Sequence, residues 1–163
     1  MSMLFQRFRL ACPYTCARDL LAHALGPSVS SGAPEVIRLV APLPAAGIVD
    51  IGGEVAVIFG SAVDPMHVDQ PWSIRWLPNA LGLYPSFEGT LTVRGDASLS
   101  SSMLELQGDH ESSTGATGLM VDAIVSSRIV SATARELLHI VGADIVRQYR
   151  KNELIKRLPI QHP

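Results

Sequence analysis

The chain has 163 residues, of which 47% are hydrophobic and 17% are charged, and its formal net charge is -2 at pH 7. This length suits one domain with a buried core, which we expect over residues 1–158, followed by a tail at 159–163. The small charge, without a block of like charges, argues against a nucleic-acid partner and against a patch for anionic membranes. Charged residues are scarcer than in most soluble domains. Two explanations are open: a partner covers part of the surface, or an internal apolar cavity adds hydrophobic lining.

The N-terminal residues carry no signal for export or for metal binding. Arg7 and Arg9 interrupt the apolar residues that a secretory signal would need, and no stretch of the chain is apolar for 18 residues. We therefore predict no transmembrane helix and a cytoplasmic location. Cys12 and Cys16 match neither the redox nor the zinc spacing. They are expected to be reduced thiols, with no metal and no cofactor.

The first half of the chain predicts strands and one short helix. Residues alternate between apolar and polar at the N-terminus, Pro13 then favours a helix start, and Gly26–Pro27 is a stop signal. In chain order the pattern predicts a strand at 3–11, a helix at 14–25, and strands at 35–43 and 46–60. The connections are too short for the crossovers that parallel strands require, so we expect antiparallel neighbours.

Three further strands are predicted in the middle of the chain, at 72–78, 87–96 and 101–108. The first of them places Trp72, Ile74 and Trp76 on one face. The second alternates without a break from Phe87 to Arg94, with its apolar residues on one side. This pattern is typical of antiparallel strands that bury one face and expose the other.

A long amphipathic helix is predicted after the last strand, from Leu119 to Tyr149. Its apolar stripe, with a period of 3.6, consists of Met120, Ile124, Val130, Ala134, Leu137, Leu138, Val141, Ile145 and Tyr149. Polar residues such as Ser126 and Arg128 are expected mostly elsewhere on the helix. About thirty residues make a rod of roughly 45 Å, which a sheet of several strands can cover. The helix either continues to Leu158, where Pro159 stops it, or ends in a loose tail.

The segment between the last strand and this helix is rich in small residues. Gly115 and Gly118 allow backbone angles that other residues resist, and the hydroxyls of Ser112 and Ser113 can cap the first amides of the helix. We therefore expect a hinge that folds the helix back over a curved antiparallel sheet. The predicted fold class is α+β.

The order of these elements, together with local sequence, resembles the helix-grip superfamily (SRPBCC), which includes START lipid-transfer domains, pathogenesis-related plant allergens and polyketide cyclases. The resemblance is narrower to a bacterial branch whose last strand ends Gly-x-Tyr-x-Pro-Pro-x-Gly. The matching positions are Phe87, Gly89, Leu91, Gly108, His110, Ser112, Ser113, Gly115, Gly118, Asp122, Ala132, Thr133, Leu137 and Leu138. His110, Ser112 and Ser113 replace the aromatic residue and the two prolines of that branch. The resemblance implies a helix-grip fold, and none of these motifs is catalytic.

The resemblance also implies an apolar ligand in a cavity between the sheet and the C-terminal helix. The residues expected to line this cavity are Trp72, Ile74, Trp76, Phe87, Leu91, Met120, Ile124, Leu137 and Val141. The alternative is that these side chains simply pack a closed core.

Polar candidates for chemistry are few. His67 and Asp69 could form a proton relay or half of a metal site, although a solvated pair is the commoner outcome in such a loop. The triplet Asp-His-Glu at 109–111 lies at the hinge, where we expect a capping or surface role. Arg75 is expected to face solvent, opposite the tryptophans. Because no nucleophile, phosphate-binding or dinucleotide motif is present, no catalytic residue is assigned.

We therefore expect a non-catalytic binding or carrier module for a hydrophobic small molecule, a lipid or a polyketide-like compound. Apolar burial would supply the affinity and one or two polar groups the orientation. Two alternatives stay open. An enzyme of the polyketide cyclase or dehydratase kind needs an acid or base inside the cavity. A structural or regulatory subunit would fill the cavity with its own side chains, and a stable homo-oligomer without a bound small molecule would favour it.

Overall fold

The structure is a computed structural model, and it describes residues 2–41, 51–62, 66, 69–77, 85–111 and 123–159. Its elements are β1 (Ser2–Leu10), α1 (Tyr14–Ser31), β2 (Glu35–Ala41), β3 (Ile51–Ala62), β4 (Trp72–Leu77), β5 (Ser86–Gly95), β6 (Ser102–Glu111) and α2 (Ala123–Arg157). The order and type of these elements are as the sequence predicts. The hinge residues Ser112, Ser113, Gly115 and Gly118 lie outside the described residues.

The six strands form one antiparallel sheet in the order β1-β6-β5-β4-β3-β2. Each of the strands β2 to β5 pairs with the next strand along the chain, as their short connections predict. β1 instead pairs with the last strand, β6, so α1 carries the chain from one edge of the sheet to the other. The arrangement confirms the predicted α+β class.

The sheet has an apolar face and a polar face. Because paired residues of an antiparallel ladder point to the same side, rows of side chains can be followed across it. One row, which we call the His110 row, consists of Glu35, Val57, Trp76, Phe87, His110 and Ser2. The row beside it consists of Phe59, Ile74, Gly89, Gly108 and Leu4. We call the side of the sheet that carries these rows the inner face.

Helix α2 lies on the inner face, alongside β1. The ring of Phe8 packs edge-on against His139, with the two ring centroids 5.7 Å apart. Phe8 and Leu10 also press against the backbone of α2 at Gly142. Among the described residues, the close backbone approaches of α2 are mainly to β1 and β6 near one edge of the sheet, to β2 at the other edge, and to α1. The sheet is therefore bent around the helix.

Helix α1 continues through Gly26–Pro27 and ends at Ser31, so the predicted end at Leu25 is wrong. A proline inside a helix removes one backbone hydrogen bond and costs about 3 kcal/mol. The last turn nevertheless packs on the core through Val29. The end of the helix is set by Gly32, whose φ of 61° lets its N–H close the final turn.

Helix α2 ends at Arg157, two residues before Pro159, so it continues past Tyr149 as one of the two alternatives predicts. At 35 residues it is about 52 Å long. Its last turns expose Leu154, Ile155 and Leu158, which line a groove of about 740 Å³. Neither this helix nor any other in the described ranges is long and apolar enough to cross a membrane.

Candidate functional site

A stacked aromatic pair lies at one end of the inner face. Trp76 and Phe87 are register partners on β4 and β5, and their rings stack with centroids 4.2 Å apart and planes 18° apart. The indole N–H of Trp76 donates to the carbonyl oxygen of Pro85 at 3.1 Å, so the polar atom of this buried ring is satisfied. The hydrogen bond and the stacking together fix the orientation of the pair.

Two glycines beside this pair lower the inner surface of the sheet. Gly89 and Gly108 are register partners on β5 and β6, and the ring of Phe87 lies over both of them. A Cβ atom at Gly89 or at Gly108 would lie only 2.7 Å or 2.8 Å from Cζ of Phe87. It would also lie 2.2 Å or 2.3 Å from a carbonyl oxygen of the facing strand. Glycine is therefore required here for the close approach of the two strands and of the ring.

His110 occupies the next position in the same row, as the register partner of Phe87 on β6. Its side chain is only 3% exposed, and within the described residues its Nδ1 atom has no hydrogen-bond partner. Burial and, to a smaller extent, the N-terminal amino group lower the pKa of His110, while the carboxylate of Asp109 opposes this shift. The imidazole is therefore neutral at pH 7, with one nitrogen that donates and one that accepts.

The expectation of a capping or surface role for residues 109–111 is wrong for His110. Strand β6 continues to Glu111, three residues beyond the predicted end at Gly108. The period of two then sends Asp109 and Glu111 outward, where both are exposed, and His110 inward. The signal was present in the sequence, since the alternation of the strand simply continues.

The side of α2 that faces the sheet also differs from the predicted stripe. Ile124 is 63% exposed, whereas Ser126 is fully buried together with Ile129, Val130 and Leu137. At about 100° per residue, Ser126 lies only about 20° from Leu137 around the helix, and Ile124 lies about 140° from it. The buried stripe therefore runs through a polar residue, and Ile124, which the sequence assigns to the cavity lining, lies outside this stripe.

The remaining predicted lining residues divide by element. On the sheet, those on the inner face are Trp72, Ile74, Trp76, Phe87 and Leu91. On α2, Leu137 is buried and Val141 is partly buried against the core. Met120 lies outside the described residues.

Asp69 belongs to an ion-pair network on the outer face. Its carboxylate accepts a hydrogen bond from the hydroxyl of Tyr14 at 3.1 Å and pairs with Arg94 at 2.7 Å. Arg94 also pairs with the buried Glu105, at 2.8 Å, and Arg7 binds the other oxygen of that carboxylate at the same distance. Asp69 thus ties the β3–β4 connection to the sheet and to the start of α1, which is a structural role.

The other polar candidates lie away from the inner face or outside the described residues. Arg75 is exposed on the outer side of β4, as expected. His67 lies outside the described residues. Cys12 and Cys16 are free thiols, and burial raises the pKa of Cys12 to about 11. Within the described ranges, no three His, Cys, Asp or Glu side chains come together as metal ligands do.

The architecture defined by this sheet and helix is the helix-grip fold, and solved structures share it. A START superfamily protein from Mycobacterium smegmatis superposes with a TM-score of 0.54 at 10% sequence identity, covering 90% of this chain and 98% of that one. Norcoclaurine synthase from Thalictrum flavum, in complex with dopamine and hydroxybenzaldehyde, superposes with a TM-score of 0.51 at 12% identity, covering 92% and 87%. No protein-family model and no curated protein matches the sequence. The likeness is one of fold.

Proposed function

We propose that the protein is a non-catalytic binding or carrier module for a hydrophobic small molecule held between the inner face and α2. The observation that carries this proposal is the inner face of β4 and β5. It presents large apolar side chains, while α2 makes its main backbone approaches to β1, β6 and β2, and α1 approaches β3, β5 and β6. Among the described residues neither helix closely approaches β4, so we place the ligand over the inner face around this strand. Apolar burial there would supply about 25 cal/mol per Å².

The fold likeness supports a small-molecule ligand without identifying it. The norcoclaurine synthase structure contains two small aromatic compounds, so this architecture can hold such molecules. Function nevertheless resides in the site and not in the fold. Three predictions therefore rest on the sequence alone: a lipid or polyketide-like ligand, a cytoplasmic location and a homo-oligomer. The experiment below tests the ligand.

Native mass spectrometry of freshly purified protein, followed by organic extraction, tests the proposal. We expect a copurifying hydrophobic compound, or a rise in Tm with fatty acids, sterols or aromatic polyketides. Val141→Trp would place an indole between helix and sheet and abolish the ligand adduct. Ile140→Trp, on the more exposed neighbouring position, is the matched control and should retain it. Wild-type protein with neither an adduct nor a shift in Tm would contradict the proposal.

His110 is the observation that favours a second candidate, an enzyme of the cyclase or dehydratase kind. Such an enzyme needs an acid or base inside the site, and His110 is the buried titratable side chain on the described inner face. A carrier returns its ligand with unchanged mass, whereas this enzyme would convert it with loss of water. Incubation of extracted ligand with wild type and His110→Gln distinguishes the two. A stable oligomer that never contains a small molecule would instead favour the structural subunit.

A further inference from the structure

Two buried polar atoms stand out within the described residues because they lack hydrogen-bond partners. These are Nδ1 of His110 and Oγ of Ser126. Other buried hydroxyls facing the same side are satisfied: Thr133 donates to the carbonyl of Ile129 at 2.8 Å, and Ser102 donates to the carbonyl of Cys12 at 2.9 Å. A buried polar group without a partner is unfavourable, and a bound molecule can supply the partner.

The two atoms lie at the same end of the molecule. Phe8 packs against His139 of α2, which fixes the position of the helix along β1. From His139 back to Ser126 the helix descends ~20 Å. From Phe8 back to Ser2, the register partner of His110, β1 descends by nearly the same distance, ~20 Å. With α2 taken as running along β1, this places Ser126 at about the level of the His110 row.

The inner face around these atoms is mostly uncharged. On β1, β3, β4, β5 and β6 the inner-face rows consist of apolar residues, glycines, serines, a glutamine and His110, and the buried stripe of α2, as far as it is described, contains no charged residue. The charges that act on His110 are the outward-pointing Asp109 carboxylate and the N-terminal amino group, and Glu35 ends the His110 row on β2. A carboxylate or an ammonium group buried here would find no charged side chain on the described inner face of the five strands β1 and β3 to β6 with which to pair, which is unfavourable. A neutral oxygen-bearing group suits both side chains, because an imidazole and a hydroxyl can each donate or accept.

We propose that this end of the inner face recognises an uncharged hydroxyl, phenol or carbonyl group of an otherwise apolar ligand, through His110 and Ser126. The inference rests on the proposed function and deepens it, since it selects the ligand class. Alcohols, phenols and ketones bind with their oxygen at the His110 row, beside Trp76 and Phe87. Fatty acids do not bind with their carboxylate at this end.

A matched series of probes tests this assignment: naphthalene, 2-naphthol and 2-naphthoate, with affinities measured by calorimetry. A purely apolar site prefers naphthalene, because the hydroxyl of naphthol loses its hydration on entry. We expect wild type to bind 2-naphthol on the order of tenfold more tightly than naphthalene, and 2-naphthoate most weakly. Both His110→Phe and Ser126→Ala should reduce the preference for naphthol toward unity while naphthalene still binds.

Thr133→Val is the control, because it removes a hydroxyl that already bonds to its own helix. It should leave the preference unchanged. In the absence of probes, Ser126→Ala should keep or raise Tm, since it removes an unpartnered buried hydroxyl; a lowered Tm would assign Ser126 a structural role. Because no probe is present, this change in Tm reports on Ser126 independently of ligand binding.

The possible outcomes separate the two proposals. If wild type binds naphthalene and naphthol equally, or if both variants keep the preference for naphthol, the polar recognition site is refuted while the binding function stands. If wild type binds 2-naphthoate most tightly of the three probes, the assignment of an uncharged ligand is refuted. If none of the probes binds to wild type and no other apolar compound does, the binding function itself fails.

Discussion

Substitution of Gly142 tests the packing of α2 on β1, on which the whole architecture depends. A Cβ atom at this position would lie 2.6 Å from both Cδ1 and Cε1 of Phe8 and 3.1 Å from Cδ2 of Leu10. Comfortable contacts between carbon atoms are about 3.5–4.0 Å, so the ring or the helix would have to move by about 1 Å. Forced overpacking of this kind typically costs about 1–3 kcal/mol.

The intrinsic preference of a helix for alanine acts in the opposite direction. Replacing glycine with alanine inside a helix favours folding by about 1 kcal/mol when nothing obstructs the new methyl group. Gly142→Ala should therefore lower the free energy of unfolding by roughly 1 kcal/mol net. Gly26→Ala in α1 is the control without a tertiary obstruction, because no atom other than those of its chain neighbours and its own helix backbone lies within 4 Å of its Cβ position. Since Pro27 follows it and disfavours a Cβ on the preceding helical residue, this substitution should change the free energy of unfolding by less than about 1 kcal/mol.

Urea unfolding followed by tryptophan fluorescence measures both effects, and a double-mutant cycle assigns the cause. In a Phe8→Ala background the ring is absent, so Gly142→Ala should become stabilising, with a coupling energy of about 2 kcal/mol between the two sites. If Gly142→Ala stabilises the wild type by about the 1 kcal/mol of an unobstructed helix position, Phe8 does not pack against α2. The position of the helix on the inner face would then be wrong.

Three further predictions concern the sheet and the buried side chains of His110 and Cys12. Gly108→Ala should lower the free energy of unfolding by about 3 kcal/mol or more, because its Cβ would lie 2.3 Å from the carbonyl oxygen of Glu88. Gly95→Ala is the control and should be nearly neutral, since no atom lies within 4 Å of its Cβ position. Equal effects of the two substitutions in urea unfolding would contradict the close approach of β5 and β6. Burial holds the pKa of His110 below its ordinary value of 6.5, so as the pH falls the unfolded chain takes up this proton before the folded chain does. The stability of wild type relative to His110→Gln should therefore be constant above pH 6.5 and fall as the pH drops below it. A stability difference between the two proteins that is independent of pH would contradict the burial of His110. Burial raises the pKa of Cys12 to about 11, so iodoacetamide at about pH 8 should label the partly exposed Cys16 well before Cys12 in folded protein. In urea both thiols should be labelled at similar rates. Rapid labelling of Cys12 in the folded state would show that this thiol is accessible.

The aromatic part of the site follows directly from strand alternation. Trp72, Ile74 and Trp76 must share one side of a strand, and Phe87 and Leu91 must share one side of the next, whatever the strands pair with. Their placement on the inner face needed only the further rule that short connections join antiparallel neighbours. What alternation could not reveal is that the ring of Phe87 lies over a pair of glycines, because that contact joins two strands.

The polar part of the site was missed for two different reasons. His110 was assigned to a hinge because Gly108 resembled the end of a strand, but pairing with β1 and β5 extends β6 to Glu111. The apolar pattern of α2 includes Ile124 because it is hydrophobic and leaves Ser126 outside the stripe because it is polar. The rotation of α2 about its axis depends on the packing of Phe8 and Gly142 against each other, which is a contact between residues far apart in sequence.

The sequence by itself determined the six strands, the two helices, their order and the antiparallel α+β class, because periodicity records which side of each element is buried. Only the tertiary structure decided where α1 and β6 end, how α2 is rotated, and that a histidine and a serine are buried at one end of the inner face. These features depend on contacts between distant parts of the chain. A local pattern records that a residue is polar, but not whether the packing of other elements will remove it from water.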